Sequence, residues 1–364
     1  MNEIKDLLNL MAIKVINENR KYWLIRTKSG KYFDEFYFEN FIAIGWNKIC
    51  DLELIKQGGD ELKREVIKCY PEEKRPGYVA NQIIRFVKEI KKGDIVLVPN
   101  KDSKYIAFGE ILDDSIYMEE IINDELLETM DESDIEEYLN DEGIEEEPCP
   151  YVKRRKVKWL KTINSDKLDP YLYRVLHSHN TISDANKYAH FIDRSLHSIF
   201  IKGDKAHVIY EVNEKKEIPA IDIINFINRV ISIVSDFNNI TNSNLNKEDI
   251  DLKINVQSPG PIEFSGPIIT ILVMAYLINS IIGGKWNIDL LGLKINHETE
   301  GLSNKILKYF EIKNKHEIEK MKQRNELINS INKLKIKLPE INEVSLDAIE
   351  NIENIDKNEQ DKNE

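Results

Sequence analysis

Apolar positions in the first 160 residues gather into short, dense runs. They are Phe41-Ile42-Ala43-Ile44-Gly45-Trp46, Gly93-Asp94-Ile95-Val96-Leu97-Val98-Pro99, Tyr105-Ile106-Ala107-Phe108-Gly109-Glu110-Ile111 and Arg155-Lys156-Val157-Lys158-Trp159-Leu160. Each is rich in β-branched and aromatic residues and closed by Gly, Pro or charge, which predicts strands. Tyr22-Trp23-Leu24-Ile25-Arg26 adds another, followed by a Lys28-Ser29-Gly30-Lys31 turn. Between the strands the period changes to that of a helix. Residues 60–70 and 80–91 fit it, with Val79, Ile83, Ile84, Phe86, Val87 and Ile90 on one stripe. Lys91-Lys92-Gly93 then supplies last-turn cations and a terminal glycine. Residues 1–17 predict a short helix with Ile4, Leu7, Leu8, Met11 and Val15 on one side, and they lack the features of a signal peptide.

Further on, Ser183-Asp184 predicts the start of a helix through Phe200, followed by a strand over 206–212. Pro219 opens a long helix to about Phe237, because a first-turn proline lacks only an N–H that would be unpaired anyway. A strand over 251–256, a Ser258-Pro259-Gly260-Pro261 turn and a short strand at Ile262-Glu263-Phe264 follow. The pattern then gives an apolar helix over 267–282 and a charged helix over 303–333. Ile268 to Ile282 carries no charge, but a bilayer requires about 20 apolar residues. A buried core or oligomer helix is the expectation, and a membrane partner is not.

These elements predict an α+β chain. The expected divisions are an N-terminal helix (1–18), a β-barrel unit with flanking helices (19–162), a helical connector (163–210), a small C-terminal α+β domain (211–336) and a disordered acidic tail (337–364). The length of 364 residues suits two cores. The net charge of −13 changes meaning once it is located. Asp113 to Cys149 is an acidic insertion with 17 acidic and no basic residues, and Leu338 to Glu364 holds nine acids against two lysines. The remainder, with 49 basic and 38 acidic residues, is basic enough to meet phosphates. Three scattered cysteines, Cys50, Cys69 and Cys149, offer neither a disulfide framework nor a CxxC pattern. That usage predicts a reducing, cytoplasmic setting.

In their order, the strand strings of residues 20–162 resemble the small PUA/EVE-like β-barrel that precedes nuclease domains in Mrr-type restriction systems and related prokaryotic defence proteins. The resemblance implies recognition of an extruded, often modified base in DNA or RNA, in antiviral defence. It implies that Trp46 and Trp159 lie near the pocket, with Tyr105 and Phe108 as further aromatic candidates. Arg26, Gln82 and Asp94 are candidates for the base edge, and Lys153, Arg154, Arg155 and Lys156 for phosphates. Barrel core is the alternative for both tryptophans, since Trp is usually well buried. A solvated strand entry is the alternative for the basic run. Leu252-Lys253-Ile254 and Ser258 to Gly266 resemble a segment of uncharacterised bacterial proteins. The C-terminal half is accordingly expected to serve self-assembly or a partner effector.

The enzymatic rival is a divergent Mg²⁺-dependent restriction-type nuclease, whose chemistry needs a carboxylate on one strand and Asp/Glu-x-Lys on the next. Asp251-Leu252-Lys253 fits the second element, while Asp222, just after Pro219, and Asp236, near the end of the same helix, are both poor first ones. No cofactor is expected otherwise. His190, Asp193 and His197 share a helix spacing, near His177 and His179, but the cysteines and His-Glu-x-x-His string of a metal site are missing. P-loop, GxGxxG and GxSxG strings are absent as well. A third reading is a defence effector that perturbs membranes through residues 268–282.

Overall fold

The computed structural model describes residues 13–119, 148–254, 260–282, 302–315 and 317–339. Contacts divide the chain into a continuous unit, 19–196, and a discontinuous one formed by 1–18 and 197–364. Strand β1 (Lys14–Ile16) belongs to the discontinuous unit and takes the place of the end of the expected N-terminal helix; residues 1–12 lie outside the described residues. Most of the acidic insertion and of the tail also lies outside them.

The continuous unit opens with β2 (Tyr22–Ile25), helix α1 (Phe33–Phe38) and β3 (Phe41–Ile44). Helices α2 (Leu52–Gln57), α3 (Gly59–Cys69) and α4 (Pro76–Ile84) follow, α4 running into a wider π turn at Arg85–Glu89. Asp51 starts α2 by accepting the N–H groups of Glu53 and Leu54, as an N-cap aspartate should. Strands β4 (Ile95–Pro99), β5 (Tyr105–Ile111), β6 (Tyr117–Met118), β7 (Lys153–Asn164) and β8 (Ile182–Asp184) complete the sheet. Its order is β3-β7-β5-β4-β2-β8 with β6 on β7, and it curls into a half-barrel. β2 and β4 run parallel and the other pairings are antiparallel.

Alternation along the strands divides the core in two. Trp23, Ile25, Val96 and Val98 join one cluster with Phe36, Ile55, Leu62, Ile83 and Phe86 of α1 to α4 and the π turn. Tyr22, Leu24, Ile95 and Leu97 join Leu168, Leu172, Val175 and Ile192 in the other. Residues 163–196 therefore build the second cover of this sheet and are no separate connector. The helix expected from Ser183 is also corrected. Ile182 to Asp184 pairs with β2, and helix α5 is confined to Ala189–Leu196, because sheet pairing outweighs a local helical period.

The discontinuous unit contains β9 (Ile199–Lys202), β10 (Lys205–Val212), β11 (Asp251–Ile254), β12 (Gly260–Pro267) and β13 (Ile336–Lys337). Their order is β1-β9-β10-β12-β11, with β13 on β10 and β1 parallel to β9. Its helices are α6 (Ala220–Thr241), α7 (Ile268–Ile282), α8 (Leu302–Lys315) and α9 (Glu317–Leu334). Every residue from Thr270 to Asn279 of α7 is buried, packed with Val208, Tyr210, Phe226 and Phe264. The span considered for membranes is thus the heart of this core. Among the described residues no helix is long and apolar enough to cross a membrane.

β5 and β7 shift register between Phe108 and Gly109, where Leu160 is the extra residue. Gly109 lies against Val157 and the Trp159 ring, and a Cβ there would stand 2.8 Å from Trp159 Cε3. Gly109→Ala is expected to lower stability by about 1–3 kcal/mol through overpacking, measured by urea unfolding monitored by tryptophan fluorescence.

Candidate nucleic-acid interface

β7 enters the sheet with three consecutive cations, Lys153, Arg154 and Arg155, and all three are buried. Arg155 Nε donates to the Phe86 carbonyl at 2.8 Å and its Nη2 to that of Val87 at 2.9 Å. Those carbonyls lie in the last turn of the helix, where the backbone has no N–H donor of its own to offer them. Lys153 Nζ donates to the Trp46 carbonyl at 2.9 Å. Burial pulls this ammonium down to about 8. Arg154 lies over Phe41 at 4.1 Å, donates to the carbonyls of Cys149 and Tyr151, and pairs with Glu35, Glu39 and Glu119. Burial nevertheless holds the Glu35 carboxyl above its ordinary range. The three residues expected on phosphates therefore fasten the fold instead. Of the run only Lys156 is exposed.

The base-edge candidates are also committed to the backbone. Asp94 is buried and accepts from Trp23 Nε1, Lys21 N and Lys91 N at 2.9–3.0 Å. Gln82 Oε1 accepts the Ile182 N–H at 2.6 Å, which ties α4 to β8. Arg26 donates to the carbonyls of Leu176 and Ser178, and burial lowers its pKa. Phe108 is fully buried in the core. Tyr105 does stay exposed, with Lys104 Nζ 5.8 Å from its ring centroid.

The two tryptophans stand apart. Trp159 donates from Nε1 to the Phe36 carbonyl at 3.2 Å and stacks on Tyr37 at 5.6 Å. Ile44 pairs with Lys153, so Trp46 follows β3 past the far end of β7, roughly 20 Å from Trp159 at about 3.3 Å per residue. One slot walled by both indoles is not formed. Phe38 projects beside Tyr37, but α1 carries Asp34 and Glu35 and ends at Glu39, a poor surface for a polyanion.

The Trp46 turn has the more favourable chemistry. Trp46 is half-buried with φ +56°, a conformation costing about 1–3 kcal/mol for a bulky residue and kept only when its surroundings impose it. Two donors hold its carbonyl, Lys153 Nζ and the Ile49 N–H. Asn47 secures the turn from the other side, donating to the Pro150 carbonyl and accepting from Val152 N. Lys48 is exposed, its N–H donates to the Tyr70 hydroxyl, and its ammonium lies 6.0 Å from the Tyr70 ring centroid. Asn47, Lys48 and Tyr70 escaped the sequence reading. The polar pair after the Trp46 string was a turn signal, but nothing local tied Tyr70 to it.

In the discontinuous unit, Asp251 pairs with Lys205 at 2.7 Å, which lowers its pKa, and Asp222 pairs with Lys333 at 2.8 Å. Lys205 begins β10, whereas Lys333 precedes β13, which pairs with the other end of β10. The two carboxylates thus belong to opposite ends of an eight-residue strand, about 25 Å long. Lys253 lies across from Glu263 in the β11–β12 register. The expected metal-binding pair is not assembled.

A family described as a domain of unknown function (DUF8426) matches residues 21–185, a span that holds the half-barrel sheet and the Trp46 turn. Comparison with the curated proteins and with the solved structures finds no match.

Arg155→Ala should destabilise by about 3 kcal/mol or more, seen in chemical denaturation, because it strands two buried carbonyls and opens a cavity. The Lys153 ammonium makes a pH test. Its folded pKa of about 8 lies below the ordinary lysine value of 10.5, so the folded state holds fewer protons between them. Wild-type stability should rise relative to Lys153→Met as pH increases through that window, and the difference should be flat below about 8.

Proposed function

We propose that the continuous unit recognises nucleic acid as a PUA/EVE-like module, presenting Trp46 to an unpaired or extruded base, modified or foreign, in prokaryotic antiviral defence. The observation that carries this reading is the Trp46 turn. A tryptophan is held in a strained backbone conformation by a buried lysine, beside an exposed lysine and a tyrosine. Strain of this kind concentrates at ligand-contacting sites, and an indole face accepts any base by stacking. Lys48 and Tyr70 would contact the phosphate or sugar flanking that base. The half-barrel sheet is compatible with a recognition module. Binding rather than cutting is the activity, supported by the separation of Asp222 from Asp251. The discontinuous unit then serves self-association or an effector partner.

The test is a panel of plain and modified DNA and RNA oligonucleotides, titrated across salt against wild type and Trp46→Gly. Glycine adopts a positive φ without strain, so the turn survives while the indole is lost. Loss of one stacked base should weaken binding by about tenfold or more. Equal affinity in the variant, or no binding by wild type at low salt, rejects the reading. Plasmid cleavage with Mg²⁺ that disappears in Lys253→Ala would favour the nuclease instead.

A further inference from the structure

A second aromatic assembly lies in the segment that covers the other face of the half-barrel sheet. Tyr171 sits on a short turn anchored in the core by Leu168 and Leu172. Its ring stacks on Phe191 of α5, with centroids 4.7 Å apart and planes 16° from parallel. The Arg194 guanidinium lies 4.9 Å from the same Phe191 ring centroid. Asp169 ties these parts together. One of its oxygens accepts the Tyr171 N–H at 3.0 Å, and the other pairs with Arg194. Both partners of that ion pair are nearly buried, at 5% and 9% side-chain exposure, so the stack is held from beneath.

Tyr171 remains 55% exposed although Phe191 covers one side of its ring. Its outer face is open to a further planar group. The surroundings suit a polyanion. Arg174 is exposed three residues along the same helical stretch, where side chains are neighbours, and exposed Lys167 lies in the preceding turn. An open aromatic face with flanking cations is what single-stranded nucleic acid requires, since any base can stack and the backbone needs only positive charge.

We propose that Tyr171 is a second stacking platform, which takes an unpaired base of a single-stranded nucleic acid while Arg174 and Lys167 meet its phosphates. The proposal rests on the nucleic-acid reading of the same unit but uses none of the Trp46 residues. It gives the protein a preference for single strands over duplex.

The experiment uses the full chain with single-stranded and duplex oligonucleotides carrying 2-aminopurine, following anisotropy and the fluorescence of the probe. Wild type, Tyr171→Ala, Tyr171→Phe and Trp46→Gly are compared. Tyr171→Ala should weaken single-strand binding by about tenfold and abolish part of the 2-aminopurine quenching, while Tyr171→Phe retains both. Unchanged binding and quenching in Tyr171→Ala, with Trp46→Gly impaired, overturns the platform alone. An equal loss for duplex and single strand also overturns it, because removing a ring that takes an unpaired base should cost a paired helix much less. Failure of wild type to bind any oligonucleotide overturns both readings together.

Discussion

The half-barrel depends on three cations buried side by side at the head of β7. An unpaired buried charge is strongly disfavoured, so each must be surrounded by acceptors. Arg155 finds them at the end of the helix running through the π turn, Lys153 at the Trp46 carbonyl, and Arg154 among three glutamates and two carbonyls. One short stretch of chain thereby fixes the π turn, the Trp46 turn and the entry of α1. The same strand carries the central pairings to β3, β5 and β6, so its register determines where all of these features lie.

Much of the polar chemistry in this unit is consumed by architecture. Asp94 gathers two backbone N–H groups and an indole, Gln82 joins a helix to an edge strand, and Arg26 closes the carbonyls of a single helical turn. Aromatic and cationic side chains such as Tyr105, Tyr171, Lys48 and Arg174 stay exposed. Such groups are suited to stacking and charge contact.

Sequence pattern located the strands well where β-branched runs were bounded by Gly or Pro, as at Ile95–Pro99 and Tyr105–Ile111. It failed where a tertiary partner decided the outcome. Ser183 sits in a stretch with a helical apolar period, yet β2 captures its backbone. The run Lys153-Arg154-Arg155 resembles a solvent-facing patch in one dimension, because the carbonyls that receive it lie nearly seventy residues away for Arg155 and more than a hundred for Lys153. Trp46 was legible as an aromatic at the end of a strand, but its left-handed conformation was not. The Tyr171 stack joins residues separated by twenty positions, with no local signature.

The pairing of β1 with β9 brings Lys14 opposite Phe200, with the whole half-barrel unit threaded between them. Closing so long an intervening chain while it is still a coil carries an entropic cost that grows with the logarithm of its length. Compaction of residues 19–196 beforehand removes most of that cost, since the ends to be joined are then separated by a folded body and not a free polymer. On a ribosome, β1 emerges first but must wait for β9. The order of assembly is therefore the reverse of the order of synthesis for this strand.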